Sequence, residues 1–198
     1  MQQMLLALLV ALFTAGSGTV SAASFEKGHS VAGDCKALVK IAIAKDKQSF
    51  VLGMRELEIP GDEMKKRRLN TIRKHCELAI PVKASPKKSL AVSPFKWSGV
   101  VQLSTSEEVR FSAEYFWSGS TGKKWEEEWK GPSETLKEWS VEHTATEKLK
   151  CGTSGILRVH LSFLYRVRGK ELLPGGRFTI KSGEQEQKIF FIESDCNS

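Results

Sequence analysis

Side chains able to do chemistry are few in this chain and scattered along it. Its four histidines are His29, His75, His143 and His160. A Ser/His/Asp or Cys/His nucleophile needs a base within hydrogen-bond reach and a third group that orients the base. His29 lies near the N-terminal end and His75 adjoins Cys76. His160 alternates with arginines, as on the wet face of a strand, and His143 shares the parity of apolar neighbours, as a core or edge histidine does. No serine sits in a Gly-x-Ser-x-Gly elbow, and Gly152-Thr153-Ser154-Gly155 reads as a turn. Glu126, Glu127 and Glu128, between Trp125 and Trp129, supply carboxylates of the type a glycosidase pairs, beside a residue type that often serves as a sugar platform. The competing reading, a strand with a charged solvent face and both tryptophans in the core, is preferred. Phosphate-binding glycine loops and metal-ligand spacings are absent from the sequence. No catalytic residue, metal ligand or cofactor is therefore assigned.

The cysteines are Cys35, Cys76, Cys151 and Cys196. Zinc favours closely spaced pairs such as Cys-x-x-Cys, and none occurs. An even number in an exported chain predicts two disulfides, for which three pairings exist. The sequential one, Cys35–Cys76 with Cys151–Cys196, is preferred. Both Cys35 and Cys76 share the parity of apolar neighbours, so both would point inward from strands.

Export is read from residues 1–23. An apolar run from Met4 to Ala15 is shorter than the ~20 residues a spanning helix needs. It is followed by small residues ending in Val20-Ser21-Ala22-Ala23, which fits a signal peptidase cut after Ala22 or Ala23. The expected division is a leader over 1–23 and one domain over 24–198. The mature protein would be extracellular, or periplasmic in a Gram-negative bacterium, with no stable membrane insertion.

The elements that must position these residues read as strands. Apolar residues alternate with polar ones over 35–44, 49–59, 76–82, 109–117, 139–143 and 156–168. Shorter apolar stretches lie at 178–180 and 189–192. Leu90 to Ser104 reads as one long or bulged strand, interrupted by Pro94 and Gly99. Residues 60–75, PGDEMKKRRLNTIRKH, break the pattern and read as a loop or a short helical insertion. About nine strands with turns between them predict an all-β, single-domain antiparallel sandwich of jelly-roll or Greek-key type.

Several motifs coincide with one family. They are Gly33-Asp34-Cys35, Arg73-Lys74-His75-Cys76-Glu77-Leu78, Trp97-Ser98-Gly99, Tyr115-Phe116-Trp117-Ser118-Gly119, Gly131-Pro132 and Cys151-Gly152. In this order they resemble secreted proteins of fungi and bacteria known as domain of unknown function 4360, over about residues 33–196. The chain departs from that pattern at Trp117-Ser118-Gly119 and in its basic stretch 61–75. The resemblance implies export, disulfides and a β-rich single domain, and it implies no activity.

Charge gives the remaining clue. The 198 residues carry 30 Lys plus Arg against 23 Asp plus Glu, a net +7, with 40% hydrophobic residues. That apolar share excludes disorder, and the length suits one domain. Residues 61–98 hold ten bases and three acids, which equals the excess of the whole chain. The candidate contact patch is Lys65, Lys66, Arg67, Arg68, Arg73 and Lys74, facing an anionic glycan, a cell-surface polymer or an acidic protein. Nucleic acid is not expected, because no stacking aromatics accompany these charges. The five tryptophans mostly share parity with apolar neighbours and read as core. The expected function is a non-enzymatic binding or surface-interaction module. The alternatives are a carbohydrate-active hydrolase using Glu126 to Glu128, and a secreted inhibitor acting through a loop.

Overall fold

The structure is a computed structural model. It describes residues 23–198 apart from 46, 61–63, 65, 68, 134, 146, 170–175, 181–186, 197 and 198. Among the described residues the elements are fourteen strands: β1 (Ser24–Phe25), β2 (Ser30–Gly33), β3 (Val39–Ile43), β4 (Ser49–Met54), β5 (Leu57–Pro60), β6 (Thr71–Lys83), β7 (Lys88–Val92), β8 (Phe95–Gln102), β9 (Glu107–Trp117), β10 (Lys123–Lys130), β11 (Lys137–His143), β12 (Ser154–Val167), β13 (Arg177–Ile180) and β14 (Gln187–Asp195). One layer is a six-stranded sheet in the order β1-β6-β12-β9-β10, with β2 paired to the same edge of β6 as β1. The facing layer is two four-stranded sheets, β11-β8-β13-β5 and β3-β4-β14-β7. Every pairing is antiparallel. The all-β sandwich expected from the alternation is the fold.

Alternation builds this core directly, because every second residue of a strand points to the same face. Leu78, Ile80 and Val82 of β6, Phe111 and Tyr115 of β9, and Leu157 to Val167 at odd positions of β12 are buried. Aromatic contacts join the layers: Phe95 stacks on Tyr115 with ring centroids 4.7 Å apart, and Phe25 meets Phe50 edge-on at 4.8 Å. Offset and edge-on pairs of this type add to simple area burial. Gly99 of β8 allows close packing, since a Cβ there would lie 1.9 Å from the Thr179 carbonyl oxygen.

The structure corrects four boundaries. The strand expected over 35–44 begins at Val39, and residues 34–38 form a turn in which Leu38 and Val39 both donate to the Cys35 carbonyl. Cys35 and Val39 still share a side, because residues four apart on a helical turn do so as well. Residues 49–59 are two strands in different sheets, and so are residues 90–104. In the second case Ser93 donates to the Phe190 carbonyl, Pro94 has no N–H to continue the ladder, and β8 starts in the other sheet. Finally, the insertion expected near 60–75 is shorter. Met64, Lys66 and Arg67 have helical backbone, Met64 is fully buried, and β6 begins at Thr71.

Two disulfides close the fold. Cys35 is bonded to Cys76 and Cys151 to Cys196, with Cα–Cα distances of 5.3 and 6.2 Å.

Candidate functional site

The outer face of the six-stranded sheet carries the polar alternates of β6, β12, β9 and β10. Antiparallel register arranges them in rows across the strands. One row is Glu77, His160, Glu114 and Lys124, and the next is His75, Ser162, Ser112 and Glu126. A third row is Arg73, Leu164, Arg110 and Glu128. The first row is flanked on its other side by Arg158 opposite Phe116.

Ser112 and Ser162 are short side chains beneath longer neighbours, and a groove of about 270 Å³ opens over them. Its walls include His75 and Glu77 on one side, Glu114 and Lys124 on the other, and His160 between them. His160 is half-buried, its ring meets Phe116 edge-on at 4.9 Å, and its Nε2 is buried with no hydrogen-bond partner among the described residues. The Cys35–Cys76 bond staples one wall. It holds the 34–38 turn against β6, where the Asp34 carboxylate accepts the His75 backbone N–H at 2.8 Å and lies 3.4 Å from His75 Nδ1. The groove thus presents carboxylate acceptors, hydroxyls, imidazoles and one ammonium to a single small volume. That mixture suits hydroxyl groups, each of which donates and accepts.

Beside the groove an ion chain runs along β9 and β10. Lys124 Nζ reaches Glu126 at 2.9 Å, Arg110 reaches Glu126 at 3.1 Å and Glu128 at 3.2 Å, and Lys130 Nζ reaches Glu128 at 3.0 Å. The bond from Lys124 holds the Glu126 carboxyl below its usual range, and bonds from Lys130 and Arg110 do the same for Glu128. The bond to Glu128, with the charge of Glu126, pushes the Arg110 guanidinium up. Glu127 has the opposite parity and is half-buried between Trp125 and Trp129. A glycosidase acid needs one carboxyl raised towards neutral pH. The two carboxyls that share a face here are both held ionised.

The other sequence candidates lie as follows. Trp97, Trp117 and Trp139 are buried, while Trp125 and Trp129 are half-buried against the core. His143 is buried, stacks on Trp125 with centroids 5.1 Å apart, and burial holds its imidazole below the usual range. Of the basic patch, Lys65 and Arg68 lie outside the described residues, and Lys66, Arg67 and Arg73 are exposed. Lys74 is half-buried and leaves β6 on the face opposite Arg73. Among the described residues no cluster of His, Cys, Asp or Glu is arranged to hold a metal ion. Sequence reasoning missed the groove. Its residues read only as the wet alternates of separate strands, and the register that unites them is not written in any one segment.

The chain belongs to the family described as Domain of unknown function (DUF4360), whose model matches residues 31–173. No curated protein matches it. Among solved structures it is similar to TmCBM61, solved in complex with β-1,4-galactotriose, at 14% identity and a TM-score of 0.27, covering 85% of this chain and 90% of that one. It is also similar to the family 11 carbohydrate-binding module from Clostridium thermocellum, in complex with a β-1,3-1,4-mixed-linked tetrasaccharide, at 13% identity and a TM-score of 0.22, covering 85% and 86%. A third similarity is to the enzymatically active domain of bacteriophage CBA120 tailspike protein 4, at 9% identity and a TM-score of 0.30, covering 85% of this chain and 20% of that one. Likenesses this remote assign no function.

Proposed function

We propose that this member of the DUF4360 family is an exported, non-catalytic binding module that takes an anionic glycan on the outer face of its six-stranded sheet. The observation that carries this reading is a succession along two adjacent strands. The groove between Glu77, His160 and Glu114 offers partners for hydroxyls, and arginines without an ion pair among the described residues bracket it. Arg158 stands one row to one side, and Arg73 and Arg166 stand one and two rows beyond the His75 row on the other. Rows on one face are two residues apart, about 7 Å. Guanidinium groups recognise carboxylate and sulfate oxygens through paired N–H donors. Export rests on the small residues after the N-terminal apolar run and on the two disulfides, which persist in oxidising compartments.

The test is retention of the exported protein on immobilised polygalacturonate against a neutral polysaccharide, at rising salt. The expected result is retention on the anionic column that salt weakens. Ser112→Trp, which fills the groove, and the pair Arg73→Ala/Arg166→Ala should each elute earlier with unchanged thermal unfolding. Equal elution of wild type and both variants would overturn the proposal.

The basic segment is proposed as a second contact, favoured by the exposure of Lys66 and Arg67 a few residues before β6, which carries Arg73. Lys65→Ala/Lys66→Ala/Arg67→Ala/Arg68→Ala should then elute earlier again, and unchanged elution removes the segment from the contact.

A further inference from the structure

Ala23 is held firmly in place. It is 3% exposed, and its backbone nitrogen donates to Glu193 Oε1 at 3.2 Å. The Ser85 hydroxyl donates to the same oxygen. Immediately afterwards Ser24 and Phe25 form β1 against Lys83 and Val82, and Phe25 N donates to the Lys47 carbonyl at 2.7 Å. The Phe25 ring packs between Phe50 and Phe191. Phe25 therefore belongs to the core, and any proteolytic maturation must cut before it.

A groove of about 150 Å³ lined by Ala23, Gln48, Phe190, Phe191 and Glu193 opens at this point. No Lys or Arg among the described residues pairs with Glu193. Lys88, which feels its charge, is bonded to Asp195, and Lys148 is bonded to the Ser194 hydroxyl. An exposed carboxylate without an ion pair among the described residues is thus presented to a backbone nitrogen, in a bond that is itself partly buried. A chain amide offers that carboxylate one N–H. A free chain end offers a positive charge and three N–H donors, and a charge-assisted bond is about twice as strong as a neutral one.

We infer that the exported chain is cut between Ala22 and Ala23, and that the new α-ammonium of Ala23 docks on the Glu193 carboxylate. In the cut, water adds across the amide: its hydroxyl joins the Ala22 carbonyl carbon, the C–N bond breaks, and the Ala23 nitrogen takes up protons to become an ammonium. The residues preceding the bond, Val20 and Ala22, are small enough for a signal peptidase. The neighbouring cut, after Ala23, would discard a buried residue and move the charge one residue, about 3.8 Å, away from Glu193. The docked chain end would fasten β1 to β14 across the two layers, so the finished fold contains a seat for its own processed terminus.

This inference rests on the reading of the chain as exported, and one measurement separates the two. Intact mass and N-terminal sequencing of protein recovered outside the cytoplasm should give Ala23 as the first residue. A chain starting at Ser24 sinks the inference and leaves export standing, whereas one starting at Met1 sinks both. Docking is tested by the rate at which an acylating reagent modifies the α-amine at neutral pH, read on the N-terminal peptide by mass spectrometry. Glu193→Gln should react about tenfold faster than wild type, the factor expected for loss of one charge-assisted bond. If that variant does not accumulate, wild type in buffer against wild type in urea gives the same comparison. Equal rates overturn the docking.

Discussion

Tyr115→Phe tests whether the inner faces of the two layers meet as described. The Trp97 indole N–H donates to the Tyr115 hydroxyl at 2.6 Å, and the two residues are 0% and 1% exposed. His143 Nδ1 lies 3.5 Å from the same oxygen. Removing the hydroxyl leaves a buried indole N–H with no acceptor, at a cost of about 1–3 kcal/mol. A domain of this size shifts by about 2–4 °C per kcal/mol, so a 2 kcal/mol loss lowers Tm by about 4–8 °C. The assay is equilibrium unfolding in urea at pH 7.5 under oxidising conditions, followed by tryptophan fluorescence. Trp97→Phe completes a double-mutant cycle. With the donor gone the hydroxyl has less to lose, so the two losses should combine to less than their sum by about 0.5 kcal/mol or more. A Tyr115→Phe midpoint equal to wild type, or strict additivity in the cycle, would refute the proposed hydrogen bond. Burial also pushes the Tyr115 hydroxyl up, partly offset by the donated indole bond. It should therefore not ionise while the protein stays folded.

His143 should make stability fall with acidity. Burial depresses its folded pKa, so below about 6.5 the unfolded chain binds a proton that the folded chain does not, and stability declines by at most about 1.4 kcal/mol per pH unit until the folded value is reached. His143→Phe should flatten the stability slope between pH 5 and 7, and an unchanged slope would assign the effect to another group. The disulfides close sequence separations of 41 and 45 residues, so Cys35→Ala/Cys76→Ala should lower stability by up to about 4 kcal/mol in urea. Mass spectrometry without reductant should find no free thiol, and four free thiols would contradict the bonds.

The strands that were plain in the sequence are those with one buried and one wet face. Val109, Phe111, Ala113, Tyr115 and Trp117 against Arg110, Ser112 and Glu114 left β9 no other reading, and β12 is the same case. The breaks were less plain, although the sequence carried a signal for them. Buried residues are even-numbered at Leu90 and Val92 and odd-numbered at Phe95, Trp97 and Val101, and the same switch separates Phe50, Leu52 and Met54 from Leu57. A parity switch means a strand has ended, because a continuous strand cannot change faces without a bulge. The Cys35 turn carried no such signal, since a helical turn and a strand both place Cys35 beside Val39. The groove was not legible either. Glu77, His160, Glu114 and Lys124 come from four strands, and only their register makes them neighbours.

Register across strands also decides where the net charge ends up. The excess of bases lies in residues 61–98, yet folding disperses those from Arg73 onward. Arg73 and Lys83 stand at opposite ends of β6, about 33 Å apart at 3.3 Å per residue. Lys74 leaves the other face, Lys88 is bonded to Asp195, and Lys96 is on β8 opposite Glu142. A run of charge along an antiparallel strand is diluted in this way, whereas a row across strands concentrates residues that are distant in sequence. A partner that reads the row is therefore distinguishable from one that only senses the run. Arg166 belongs to the face around the groove and lies outside the run, while Lys96 belongs to the run and sits in the other layer. Replacing Arg166 should weaken a ligand seated on the outer face, and replacing Lys96 should leave it bound.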